Sequence, residues 1–313
     1  MSNLEASPQE ALCEGTPADG PVRELLYPRD VVLGTRDGTT VSRTLPNKDR
    51  RMVGAWCFAD HYGPTDVSDS PGMSVAPHPH AGLQTVSWLV AGQVLHRDSL
   101  GHVATARPGT LNLMTAGRGI AHSEHSPIPH DDVLHGVQLW VALPGEHRDT
   151  EPHFEHHADL PAAEGHGWRA TVVMGQFAGQ TSAAATYSPL VLAEITADGQ
   201  FTLPLREDFE NALLVLDGEV DGVERGPLLY LGAGRAEIEL TGRARFLVLG
   251  GVPFHEKIVM WWNFIGRTHD DIVAMRESWM DGDRFGEVQG SGQSRLAAPP
   301  MPGTTLMPRG RKR

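Results

Sequence analysis

Cysteine is scarce in this chain: Cys13 and Cys57 are the two present in 313 residues. Cys13 falls in an N-terminal stretch with little apolar periodicity, so no structural disulfide is expected. Such sparing use fits a reducing compartment. Basic residues are also few, 26 against 39 acidic ones, for a net charge of −13. That balance opposes non-specific contact with nucleic acid or an anionic membrane, and no direct nucleic-acid partner is expected. It leaves a protein partner open. No apolar run approaches the roughly 20 residues of a membrane span. The opening MSNLEASPQEALCEGTPADG has neither a basic n-region nor an apolar h-region, so no secretory signal is expected. These absences together predict a cytoplasmic protein. Long helical patterns are rare as well, while 35 Gly and 23 Pro supply turns in quantity.

Short strands and turns fill the space this leaves. Residues 1–21 read as a disordered tail. Strand-like runs follow at Arg23–Tyr27, Asp30–Gly34, Val53–Phe58, Thr85–Val90, Val94–Asp98, Thr110–Met114 and His135–Leu143. Asp37-Gly38 and Ala91-Gly92-Gln93 read as turns, the second closing a hairpin onto Val94–Asp98. Asp60–Met73 reads as a loop by composition. Residues 144–168 are polar and read as an excursion between domains. A second set of strands runs from Ala170 to Gly250, with turns expected at Asp198-Gly199, Asp217-Gly218 and Asp221-Gly222. Leu216-Asp217-Gly218-Glu219-Val220 echoes Val90-Ala91-Gly92-Gln93-Val94, which suggests an internal duplication. One helix is expected, with Thr268 as N-cap, Asp271 in its first turn, and Ile272, Met275, Trp279 and Met280 at helical spacing up to Gly282. Residues 286–313 read as a disordered tail with a basic end, Arg309–Arg313. The expected organisation is therefore all-β, with domains at 22–150 and 151–285 between two tails, and a monomer.

The chemistry concentrates in two short pairs, His78-Pro79-His80 and His122-Ser123-Glu124. In a strand, positions i and i+2 point to the same face. Two such strands facing each other would bring three imidazoles and one carboxylate together. A lone strand histidine is more often a hydrogen-bonded structural residue than a ligand. Two paired motifs in one all-β region arise by chance far less often. The set suits a mononuclear ion with open positions, and no cysteine accompanies it as in a closed structural zinc site. His125 and His130 lie near the second pair at the wrong parity or distance. His61, His96 and His102 could also approach the site, while each taken alone reads as structural. Trp88 reads as core packing, and Arg118 as a turn or surface residue with a pocket-lining role as its alternative.

At these residues the chain resembles the pirin family of the cupin superfamily. The resemblance rests on Pro77-His78-Pro79-His80-Ala81-Gly82, Thr85–Leu89, Gly136–Val141, Val53–Pro64 and above all Met114-Thr115-Ala116-Gly117-Arg118-Gly119-Ile120-Ala121-His122-Ser123-Glu124. It implies two stacked cupin barrels of the jelly-roll type (double-stranded β-helix), with a short C-terminal helix. It implies one metal ion in the N-terminal barrel, Fe(II) first and Ni, Cu, Mn, Zn or Co as alternatives, held by His78, His80, His122 and Glu124. Many cupins place an acidic ligand four residues after the His-x-His pair, where this chain has Gln84. Residues 213–251 contain no histidine, so the second barrel is expected to be metal-free. Some pirin-like proteins act as quercetin 2,3-dioxygenases. The resemblance thus implies an aromatic, flavonol-type substrate with O2, and Glu124 as the catalytic base. The alternative it implies is an iron-redox-sensitive regulator that binds a protein partner without turnover.

Overall fold

Period-two patterning dominates the sequence, and in the computed structural model, which describes residues 11–13, 20–33 and 40–308, strands follow it closely. The first barrel has two sheets. The larger orders its strands His153–His157, Leu111–Thr115, Leu83–Ala91, Val133–Ala142, Trp56–Asp66, Thr40–Leu45 and Arg29–Val32. The smaller orders Ser74–His80, Ile120–His125, Val94–Asp98 and Val103–Ala106. The second barrel is a nine-stranded sheet running from Ala162–Gly165 through Trp168–Phe177, Leu190–Pro204, Glu237–Gly251, Glu210–Val220 and Leu228–Gly232 to Glu24–Leu26, with Gln180–Thr181 and Val223–Glu224 paired beside this path. The all-β fold with two cupin-type domains and a C-terminal helix matches expectation.

Parity explains how the barrels dock. Along Glu210–Val220, Ala212, Leu214 and Leu216 join one apolar cluster, whereas Leu213 and Val215 join another. The first cluster also holds Val86, Leu111, Leu113, Val137 and Leu139 from the large sheet of the first barrel. One face of each strand therefore fills its own barrel and the other glues the barrels together. Trp88, 1% exposed, lies in this interface and donates from Nε1 to Glu194 Oε2 at 2.7 Å. Its reading as a packing residue holds.

Several local expectations are corrected. Asp60–Met73 is not all loop, because the strand Trp56–Asp66 continues through it and pairs with Val133–Ala142. The polar Asp60 survives in that strand because Arg43 pairs with it across the sheet, at 2.6 and 2.8 Å. Val94–Asp98 does not pair back on Leu83–Ala91; Gly92, at φ +83°, sends the chain across to the other sheet. Asp198-Gly199 and Asp217-Gly218 lie inside the long strands Leu190–Pro204 and Glu210–Val220 rather than ending them. The unbroken register of Leu190–Pro204 on Glu237–Gly251 outweighs the local turn signal. Gly92 and Gly218 share a positive φ (83° and 73°), but Gly92 lies between two strands and Gly218 within one. Asp221-Gly222 does turn, both residues at positive φ (48° and 73°), as a tight two-residue hairpin requires. Asp37-Gly38 lies outside the described residues.

Chain ends cross the expected domain boundaries. His153–His157 completes the first barrel's sheet, and Glu24–Leu26 completes the second's. Ala11–Cys13, expected within a disordered tail, pairs with Ile258–Trp261. The helix His269–Asp281 has the expected capping box between Thr268 and Asp271 and buries Ile272, Met275 and Trp279. Residues 286–308, also expected to be disordered, instead pack on that helix. Val288, Ala298 and Leu306 share its apolar cluster, and Trp279 Nε1 donates to Leu296 O at 2.7 Å. Arg309–Arg313 lies outside the described residues. Among the described residues, no helix is long and apolar enough to cross a membrane. Cys57 is buried, and its thiol donates to Trp140 O at 3.5 Å.

One polar pair sits where the barrels meet. His61 and His135 are buried with their Nε2 atoms 2.8 Å apart. Only one of the two nitrogens can carry the shared proton. Burial, then the charge of His135 and Arg225, pushes His61 down to about 3. Burial, then Arg225 and Arg245 against Asp217, pushes His135 down to about 4. Both fall below the usual 6.5, so between pH 6.5 and about 4 the unfolded chain takes up protons that the folded chain refuses. Stability should therefore drop as pH falls through that window, by about 1.4 kcal/mol per unit for each histidine. Thermal melts from pH 7 to 4 should show the fall, and His61→Phe should flatten it. Identical slopes would remove this pair as the cause.

Candidate metal centre

The strands Ser74–His80 and Ile120–His125 are antiparallel neighbours, with His122 opposite His78 and Ile120 opposite His80. The turn that delivers the second strand depends on glycine. Gly117 has φ +49°, and a Cβ there would meet Thr150 O at 2.0 Å. Gly119 follows at φ +146°. Arg118 between them points outward and pairs with Glu151 at 2.7 Å, a surface role rather than a pocket-lining one.

This register brings His78, His80 and His122 together. One ligand atom from each lies within 4.8 Å of the others, and all three residues are buried. Ring centroids are 5.1 Å apart for His78–His80, 4.3 Å for His78–His122 and 5.0 Å for His80–His122. The rings meet edge to face rather than stacking, so lone pairs converge while rings do not collide. Burial pushes His78 down to about 4, and pushes His80 and His122 well below the usual imidazole range. Neighbouring imidazoles add to the effect on His80 and His122. The imidazoles are therefore neutral at pH 7, the form that binds metal.

Each ring is held from behind. His78 donates from Nδ1 to Ala76 O at 2.8 Å, which frees Nε2 as a lone-pair donor. The His80 ring meets the Trp140 ring edge-on at 5.1 Å. His122 Nδ1 lies 3.2 Å from His96 Nδ1, while His122 Nε2 is buried with no hydrogen-bond partner. A buried imidazole nitrogen without a partner is costly unless something occupies it. The donor set and that nitrogen fit a borderline metal ion.

Glu124 is buried at 2% exposure on the same strand as His122. It does not belong to the group meeting the 4.8 Å limit, which comprises the three histidines. On the partner strand Glu124 stands opposite Val75, and the ladder shifts register between His122 and Glu124. Gln84 turns away from this centre. Its Nε2 donates to Thr115 Oγ1 at 2.9 Å and to Ala185 O at 3.1 Å. His125 stays outside the group, and His130 bonds to the carbonyls of Ser70 and Asp131.

Sequence reasoning allowed His96 and His102 to approach the site but read each alone as structural, and it passed over Asp98. The strand Val94–Asp98 pairs with the His-x-Glu strand, setting Asp98 opposite His122 and His96 opposite Glu124. The signal was present: His96-x-Asp98 has the same i, i+2 spacing as the two pairs it serves.

A buried three-histidine group inside one of two stacked jelly rolls defines a bicupin with a candidate metal centre. Comparison with known proteins agrees. Residues 38–141 match the Pirin family, and residues 190–286 match the Pirin C-terminal cupin domain. The chain belongs to the pirin family. A Pseudomonas aeruginosa protein provisionally named a quercetin 2,3-dioxygenase is 47% identical over 85% of this chain and 87% of its own length. A pirin-like protein of Caulobacter vibrioides is 35% identical over 77% of this chain and 88% of its own. The crystal structure of a quercetin 2,3-dioxygenase from Acinetobacter baumannii superposes with a TM-score of 0.86 at 38% identity, covering 91% of this chain and 98% of that one.

Proposed function

We propose that this protein is a metal-dependent dioxygenase acting on flavonol-type, quercetin-like substrates at a centre formed by His78, His80, His122 and Glu124. The observation that carries the reading is the partnerless, buried Nε2 of His122 beside two further neutral imidazoles. The names borne by the Pseudomonas and Acinetobacter relatives support the reaction class. When bound, the ion supplies open positions at which a flavonol oxygen and dioxygen meet, with Fe(II) first among ions that this donor set accepts. Glu124 completes the ligand set and takes the proton from the flavonol hydroxyl at its carboxylate. Trp140, against His80, and Phe154, stacked on His96 at 4.3 Å, give the centre an apolar wall that limits water.

Fe(II)-loaded protein should consume quercetin under air, and His80→Ala should not. Glu124→Gln should lower turnover by about 10²–10⁴-fold, the usual worth of a positioned base. Wild-type turnover no faster than His80→Ala would remove the quercetin reading. A second reading, a redox-responsive regulator, is favoured by the confinement of clustered ligands to one barrel among the described residues. Tight metal binding with no turnover of any flavonol supports that reading over the first.

A further inference from the structure

We infer that Asp98 and His96 form a positioning relay that fixes the tautomer of His122, and that this relay sets the metal affinity of the centre. The inference rests on the metal-site reading above. It starts from Asp98, whose carboxylate is held on every side. Oδ1 accepts from the backbone N–H of Leu100 at 2.9 Å and of His102 at 3.0 Å. Oδ2 lies 3.2 Å from His96 Nε2 and 2.9 Å from His102 Nδ1. With two backbone N–H groups on Oδ1 and two imidazole nitrogens against Oδ2, Asp98 acts as the acceptor in this cluster.

The donor count then runs in one direction. His96 Nε2 carries the proton given to Asp98. In neutral His96 the other nitrogen, Nδ1, is an acceptor. His122 Nδ1, 3.2 Å away, must donate to it. His122 is left with its lone pair on Nε2, the buried nitrogen that has no other partner. With the opposite tautomer, two lone pairs would face each other at His96, and an N–H would point into the centre. His96 cannot swing away, because Phe154 stacks on its ring at 4.3 Å and 14°. His102, half-exposed, braces Asp98 from the solvent side.

Carboxylate and carbonyl partners behind metal-bound histidines are a general device, and removing one costs about 10–100-fold in affinity. His78 obtains the same service from the Ala76 carbonyl alone. His122 obtains it through a second imidazole.

The test uses the full-length protein and Co(II) as probe, with affinity measured by chelator competition. His96→Phe fills the space without hydrogen bonding, and Co(II) affinity should fall about 10–100-fold. His96→Asn places an amide oxygen near the Nδ1 position and should recover part of that loss. In the proton spectrum of the Co(II) form, the paramagnetically shifted, exchangeable N–H resonance of His122 should be present in wild type and lost in His96→Phe. Melting of the metal-free proteins controls for folding, because a merely structural role would lower stability without removing that resonance. Should His96→Phe be too unstable to load, Asp98→Asn carries the same expectation. Wild-type affinity with the resonance retained in a folded His96→Phe or Asp98→Asn protein overturns the relay. Failure of wild type to bind Co(II) any better than His80→Ala overturns the metal-site reading instead.

Discussion

Replacing His122 with alanine removes measurable metal binding. The expectation follows from how few donors the centre has. Three imidazoles converge within 4.8 Å, so His122→Ala deletes one of three and opens a buried gap beside the other two. Losing an outer partner of a ligand costs up to about 100-fold in affinity, and losing the ligand itself costs more. Because the site forms only in the folded chain, binding also registers as stability. A ligand at 100 times its Kd stabilises by about 2.7 kcal/mol. Wild type should therefore melt higher when metal is added, while His122→Ala should not respond. Metal analysis after desalting, together with paired melts with and without Fe(II) or Ni(II), reads both effects. A variant that still holds a full equivalent would show that the metal sits elsewhere.

Asp60→Ala should cost about 3–5 kcal/mol, the price of leaving a buried partner charge uncompensated. Asp60 and Arg43 form a two-pronged ion pair, at 2.6 and 2.8 Å, with both residues 2% exposed or less. The Arg43 guanidinium also lies 4.3 Å over the Phe58 ring, so the variant strands a cation in an aromatic pocket. At about 2–4 °C per kcal/mol for a large domain, melting should fall by roughly 6–20 °C. Arg43→Met combined with Asp60→Leu should recover most of it, because removing both charges also removes their desolvation. A double variant as unstable as Asp60→Ala would mean that packing, not charge, dominates there.

The two sets of residues differ in how legible they were. His-x-His and His-x-Glu were visible because strand geometry projects i and i+2 to one face, a rule that needs only local backbone. The helix was visible for the same reason, since Thr268, Asp271 and the spacing of Ile272, Met275 and Trp279 are all local signals. The turn at Asp198-Gly199 was misjudged because its partner, Arg243-Gly242, is more than forty residues away in sequence. Disorder after Gly286 was misjudged because Val288, Ala298 and Leu306 find an apolar surface contributed by a helix and three strands. Neither partner appears in a local window.

By itself, the sequence determined an all-β chain, the positions of three buried histidines and the parity that turns them inward. Those properties depend on strand periodicity, glycine spacing and side-chain chemistry. Tertiary structure decided what no spacing encodes. The ladder shifts register between His122 and Glu124, Gln84 turns to the barrel interface, and Asp98 reaches His122 through His96. Each of these depends on which strands become neighbours and in what register, and that pairing is chosen by contacts between residues far apart in the chain.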